Sequence, residues 1–220
     1  MLFSDGRRPL NYLAHLLLAE NTPASLIGQL AGDFVKGPLK GQWNAAVEIG
    51  ISEHRKLDAY TDQHPAVTRS WRRISPIRRR YASVIVDIAY DYYLSRHWRE
   101  FADQDQLEFI THVHWVLEQY SELLPEGLRQ VAPRIIESQL LASYGTRRGL
   151  EQAFQRISQR LKRQNALGDA LNDIIAHDEA FESDFLAFFP DVITYIRAQR
   201  TERHASDEAS PACKRDRRDL

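Results

Sequence analysis

Cysteine is all but missing from this chain of 220 residues; the one thiol, Cys213, sits in a polar C-terminal stretch. A lone thiol excludes a disulfide within the chain and any cysteine-built metal cluster. Glycine (10) and proline (9) are sparse, and no segment alternates polar and apolar residues convincingly, which argues against sheet. No apolar run reaches the roughly 20 residues needed to span a bilayer. Met1 to Pro9 lacks the apolar segment of a secretory leader. A cytoplasmic protein without a membrane partner is the expectation. Excess charge is lacking too: 29 Lys and Arg oppose 30 Asp and Glu, a formal net charge of -1, so whole-chain charge gives no reason to expect a nucleic-acid partner.

What remains is 43% hydrophobic residues, enough for a sizeable core, and eight histidines. The patterning predicts an all-α, single-domain multi-helix bundle over residues 1–200, followed by a polar, disordered tail over 201–220. Helices are expected at about Leu10 to Glu20, Ser25 to Phe34, Asn44 to Thr61 (stopped by Pro65), Val67 to Ile74, and Ile77 to His97 after Pro76. Further helices follow at Asp105 to Leu123, Leu128 to Ser143, Arg147 to Gln164 and Leu167 to Phe189, with Pro190 opening a last helix to Gln199.

The segment Val84 to Leu94 is apolar almost all the way round, yet it carries Asp87 and Asp91 one helical turn apart. An isolated carboxylate in an apolar interior is costly and is normally paired, hydrogen-bonded or metal-bound. Three more segments set metal-competent groups in apolar surroundings. His15 lies in Asn11-Tyr12-Leu13-Ala14-His15-Leu16-Leu17, and Asp33 follows Gly28 and Gly32. His54, Asp58 and Asp62 fall on one stripe at spacings of four, with Arg55 beside them. A His and an Asp one turn apart can reach a common divalent cation, and an Asp can orient a neighbouring His. Imidazole and carboxylate without thiolate suit Mn, Fe, Zn or Mg, and such ions serve phosphoester hydrolysis. Each segment alone has a plainer reading: a core histidine, a turn-capping aspartate, a helix laced with ion pairs, or a buried acid pair held by arginines.

Arg69, Arg72, Arg73, Arg78, Arg79 and Arg80 crowd the region around Pro76. They form either a solvated face or a docking patch for an acidic macromolecule. His112 and His114 point to different helix faces, His177-Asp178 lies in an ordinary amphipathic helix, and His204 is in the tail; none is given a role.

Taken together, Asn11 to Leu16, Gly32-Asp33-Phe34-Val35, His54-Arg55-Lys56-Leu57-Asp58 with Thr61-Asp62, Asp87 to Asp91 and Leu94-Ser95-Arg96-His97-Trp98 resemble the acyl carrier protein phosphodiesterase family. Phe185 to Pro190 is similar to that family's aromatic stretch before its final helix. The resemblance implies a helical fold like that of HD-type phosphohydrolases and a divalent metal, typically manganese. It also implies removal of 4'-phosphopantetheine from the serine of holo acyl carrier protein, an acidic partner suited to the arginine patch. On this resemblance His15, Asp33, His54, Asp58 and Asp91 supply metal ligands, and Arg55 steadies the phosphodiester oxygens. Asp62 or Asp87 orients a histidine or takes a proton, and His97 is a candidate proton donor. The pattern departs at Tyr92, where a histidine is expected, and at Gln63-His64. Two rivals stay open: an HD-like enzyme for nucleotides or other small phosphoesters, and a non-catalytic helical module binding acidic partners.

Overall fold

In the computed structural model, which describes residues 12–209, every regular element is helical. Leu10, Asn11 and tail residues 210–220 lie outside the described residues. In chain order the helices are α1 (Tyr12–Leu17), α2 (Pro23–Ala31), α3 (Ala45–Gln63), α4 (Pro65–Arg73), α5 (Ala82–Arg96), α6 (Trp98–Phe101), α7 (Gln106–Gln119), α8 (Glu126–Glu137), α9 (Leu140–Ser143), α10 (Arg147–Arg160), α11 (Leu171–Ala176) and α12 (Asp178–Ala209). Short 3-10 turns cover Pro76–Tyr81, Ser121–Leu123 and Leu167–Asp169.

The starts follow side-chain chemistry. Thr22, Asn44, Asp105 and Thr146 each accept a backbone N–H two or three residues on, satisfying donors that the first turn leaves orphaned. Pro65 does more than stop α3: it opens α4, where its missing N–H costs nothing, with His64 as the capping residue.

The all-round apolar character of α5 has a direct cause. This helix runs through the middle of the molecule, packed by α1, α4, α10 and α12, so Ile85 through Leu94 are buried on every side. Its face toward α12 is aromatic: Tyr90 meets Phe185 edge-on with centroids 5.5 Å apart, and Phe185 stacks on Phe189. α2 and α3 approach more closely than side chains would allow. A Cβ on Gly28 would lie 2.6 Å from the Val47 carbonyl oxygen and 2.7 Å from the Gly50 Cα, so both helices need glycine at the crossing.

The structure corrects four expected boundaries. Pro76 opens a 3-10 turn, and the α-helix starts only at Ala82. The expected Leu128–Ser143 helix breaks at Gln139, which adopts a left-handed conformation (φ 49°). The break near the C-terminus falls at His177, and α12 then runs unbroken through Pro190. Phe185, Phe188, Phe189 and Val192, buried in the core on either side of Pro190, carry the helix past its missing N–H. Finally, residues 201–209 are helical rather than disordered. Arg203 pairs with Glu53 and Glu20, and Arg200 pairs with Glu53 and donates to the Leu18 carbonyl.

Candidate metal centre

The site forms where α1, the end of α2 and the middle of α3 meet. His15 of α1 and His54 of α3 stack with ring centroids 4.0 Å apart and planes inclined by 20°. Asp58, one turn after His54, spans both rings: its Oδ1 lies 3.3 Å from His15 Nε2 and its Oδ2 lies 3.3 Å from His54 Nε2. Asp33, just past α2, brings Oδ1 to 3.6 Å from His54 Nε2. The histidines are buried, whereas the Asp58 side chain is 31% exposed and opens the cluster to solvent. Gly32 makes this possible, because a Cβ there would sit 2.1 Å from His54 Cδ2, inside the ring's own space.

The charges are distributed unevenly. Burial and the adjacent His54 push the His15 pKa down, against the pull of Asp58. For His54, burial acts to lower the pKa, but Asp58 and Asp33 outweigh it and raise it to about 10. Burial would raise Asp58, yet His54 and His15 hold it well below the usual carboxylate range. The two carboxylates thus favour the charged form of His54, while burial and the neighbouring ring favour the neutral form of His15. Gln29, fully buried in α2, accepts from His15 Nδ1–H at 3.0 Å and so leaves the Nε2 lone pair facing Asp58. His15 Nε2, Asp58 Oδ1 and Asp33 Oδ2 are buried atoms without a hydrogen bond. Ligand atoms of His15, His54 and Asp58 all lie within 4.8 Å of one another. Unsatisfied nitrogen and oxygen donors converging at that distance fit a divalent cation of the Mn, Fe or Zn type.

The other expected site residues go elsewhere. Asp91 is fully buried and accepts from the backbone N–H groups of Leu13 (3.2 Å) and Ala14 (3.0 Å), capping α1 from across the core. Burial pushes its pKa up, more than those two donors pull it down. Asp91 is therefore spent on the helix that presents His15 and stands outside the cluster. Arg55 donates to the carbonyls of Gly37 and Val35, each at 2.8 Å, bracing the chain after Asp33 rather than reaching into the site. His97 bonds Glu100 and Glu182 at 2.6 Å each; burial opposes its charge, but these carboxylates win and raise its pKa. Asp62 is exposed one turn beyond Asp58 and Asp87 is buried within α5; neither joins the cluster.

Half of the arginine patch is matched to acids within the fold. Arg69 (2.7 Å) and Arg73 hold the buried Asp184, and Arg78 makes a two-pronged pair with Asp173 at 2.7 and 2.8 Å. Arg79 donates to the Ile74 and Arg72 carbonyls, and Arg80 lies 4.6 Å from the centre of the Tyr81 ring. Only Arg72, Arg79 and Arg80 keep charges without a carboxylate partner among the described residues, so the docking reading gives way for Arg69, Arg73 and Arg78. Sequence reasoning passed over Gln29, whose signal was a lone amide in the apolar run Leu26 to Ala31.

An all-α chain with a buried imidazole–carboxylate cluster belongs to the class of helical proteins with a candidate cation site. The family described as acyl carrier protein phosphodiesterase matches residues 10–192, and the chain belongs to that family. It is similar to the acyl carrier protein phosphodiesterase of Photorhabdus laumondii, 32% identical over 182 residues, covering 82% of this chain and 92% of the relative. The counterpart in Escherichia coli O139:H28 is 34% identical, covering 82% and 94% of the two chains. That of Pectobacterium atrosepticum is 29% identical, covering 87% and 100%. No solved structure matches the chain.

Proposed function

We propose that this protein hydrolyses the phosphodiester that joins 4'-phosphopantetheine to the serine of holo acyl carrier protein, releasing the apo protein. Membership of the family supplies the reaction class. The observation that carries the reading is the Asp58 carboxylate, 3.3 Å from each of two stacked, buried imidazoles. His15 Nε2, Asp58 Oδ1 and Asp33 Oδ2, buried without a hydrogen bond, are costly to bury unless a ligand uses them.

His15, His54 and Asp58 would hold a divalent cation, manganese first among the candidates, with Asp33 beside them as a further oxygen donor. When bound, the cation would supply positive charge to the phosphodiester oxygens and lower the pKa of a nearby water. The chain's own groups do the rest. Gln29 fixes the His15 tautomer so that Nε2 is available as an electron-pair donor. Asp33 Oδ2, without a hydrogen bond, is free to accept a proton from the attacking water. Arg55 keeps Asp33 in place by tying down Val35 and Gly37. The catalytic fold would comprise residues 1–200 as one domain, with the last turns of α12 clamped onto α3 through Glu53.

The test is a mass assay of holo acyl carrier protein incubated with the enzyme and manganese. Loss of the prosthetic group, abolished by chelator, is the expected result. Turnover of nucleotides or simple phosphodiesters with the carrier left intact would refute the carrier reading. His54→Ala and Asp58→Ala should each abolish turnover.

A further inference from the structure

The C-terminal turns of α12 touch both of the helices that carry the cluster's histidines. On the α3 side they meet Glu53, the residue before His54, whose carboxylate is buried. Arg200 donates to Glu53 from Nε at 3.2 Å and from Nη2 at 2.8 Å, and Arg203 donates to it from Nη1. Lys56, two residues after His54, donates to Gln199 at 2.9 Å. On the α1 side the same Arg200 Nη2 donates to the Leu18 carbonyl at 2.5 Å, and Arg203 Nη2 donates to Glu20 at 2.6 Å. Leu18 stands three residues after His15, where a helix end leaves carbonyls without an internal partner and a basic side chain is a favoured cap.

This grip differs from the other buried ion pairs in what it joins. Arg69 and Arg73 with Asp184 tie α4 to α12, and Arg78 with Asp173 ties the Pro76–Tyr81 turn to α11; none of those elements bears a cluster residue. His15 and His54 sit on separate helices. Their ring stack at 4.0 Å, and the Asp58 bridge at 3.3 Å to each ring, hold only while α1 and α3 keep their spacing. α2 packs on both helices and sets part of that spacing. The arginines supply a further tie. A planar guanidinium suits the task, because its donors are fixed relative to one another and can hold a carbonyl of one helix and a carboxylate of another at a set separation.

We infer that Arg200 and Arg203 are positioning residues for the candidate metal centre: they set the distance between the α1 and α3 histidines and thereby the affinity for the cation. The inference rests on the cation reading of that cluster. Both arginines lie beyond residues 10–192, the span that matches the family, so the family match assigns them no role. Neither is a member of the cluster; they act on α1 through the Leu18 backbone and on α3 one residue from His54. Groups that orient metal ligands are worth about 10–100-fold in metal affinity.

The test is a manganese titration of full-length variants. Glu53→Gln with Arg200→Ala and Arg203→Ala removes the grip without stranding a buried carboxylate, and circular dichroism checks that the chain folds. Its manganese Kd should rise about tenfold or more. Arg200→Lys keeps the charge but not the fork that spans Leu18 and Glu53, so it should raise the Kd by a smaller factor, and it decides the matter if the triple variant does not fold. Arg78→Met with Asp173→Asn removes a buried pair elsewhere; it should lower the melting temperature and leave the Kd unchanged. A folded grip variant that binds manganese like the wild type would overturn the inference. So would an equal loss of affinity in the Arg78 and Asp173 control, which would make the effect one of general stability. NMR of the metal-free chain with labelled histidine gives a reading that needs no metal. Cross-relaxation between the His15 and His54 rings should be present in the wild type and lost in the grip variant; its persistence in the variant, or its absence from the wild type, would also overturn the inference. Failure of the wild type to bind manganese, iron or zinc would count against the cation reading instead, and the ring-to-ring signal would still judge the role of the arginines.

Discussion

Replacing Gly32 by alanine is the sharpest perturbation of the candidate metal centre, because it adds one methyl and removes nothing. The added Cβ would lie 2.1 Å from His54 Cδ2, 2.2 Å from Cγ and 2.7 Å from Nε2. Ordinary contact begins at 3.4 Å, so the ring must retreat by about 1.3 Å. It has nowhere to go cheaply: it is 2% exposed and stacked at 4.0 Å on His15. Overpacking of this kind costs about 1–3 kcal/mol, and a misplacement of about 1 Å in a catalytic group costs on the order of 100-fold in rate. Gly32→Ala should therefore lose on the order of 100-fold in turnover of holo acyl carrier protein, together with most of the manganese-induced rise in melting temperature. That rise reports binding to the folded state, about 2.7 kcal/mol at 100 times the Kd. Gly145→Ala is the control: its Cβ would meet its nearest neighbours at 3.5 Å, an ordinary contact, and should change neither quantity. If Gly32→Ala binds manganese and turns over like the wild type, the ring position that defines the cluster is not the one the protein uses.

Three further outcomes follow from the same geometry. The metal-free His54 pKa is raised, so the stability it contributes is fully present below about 6.5, the unfolded value, and is lost as pH rises through about 10. Thermal scans should accordingly show the metal-free protein weakening across that window while the manganese-induced gain grows, because the cation displaces the His54 proton; a gain that shrinks with rising pH would contradict the cluster's charge assignment. Arg200→Met with Arg203→Met strands the buried Glu53 carboxylate, and urea unfolding should show a loss of about 3–5 kcal/mol. A loss under 1 kcal/mol would mean that the end of α12 is not clamped as described. Asp91→Asn should keep manganese binding and most stability, whereas Asp91→Ala should cost about 1–2 kcal/mol in unfolding experiments through the lost cap on α1. Loss of manganese in Asp91→Asn would make Asp91 a ligand after all.

How far the sequence carried the reading depends on what kind of partner each polar residue found. Helix class and most helix starts were legible because caps and periodicity are local: Asn44 and Asp105 announce α3 and α7 within a turn. His54 and Asp58 were legible as a pair for the same reason, since i,i+4 spacing fixes proximity without knowledge of the fold. His15 and Asp33 needed the family resemblance to join them, because α2 meets α3 only through tertiary packing at Gly28 and Gly50, and α1 reaches α3 through the stacked His15 and His54 rings. The residues whose expected roles changed (Asp91, Arg55, His97 and half of the arginine patch) share a physical trait. Each bonds a group distant in the chain, from 18 residues away for Arg55 and Gly37 to 115 for Arg69 and Asp184. A buried acid or arginine signals in sequence only that some partner must exist. Whether that partner is a cation, a helix end or an opposite charge is decided by packing. Asp91 illustrates the consequence. The carboxylate that drew attention as a ligand instead holds the first turn of α1, and that turn is what delivers His15 to the site. The apolar helix α5 thus serves the candidate metal centre through the backbone of its neighbour, a function that ligand spacing could not have revealed.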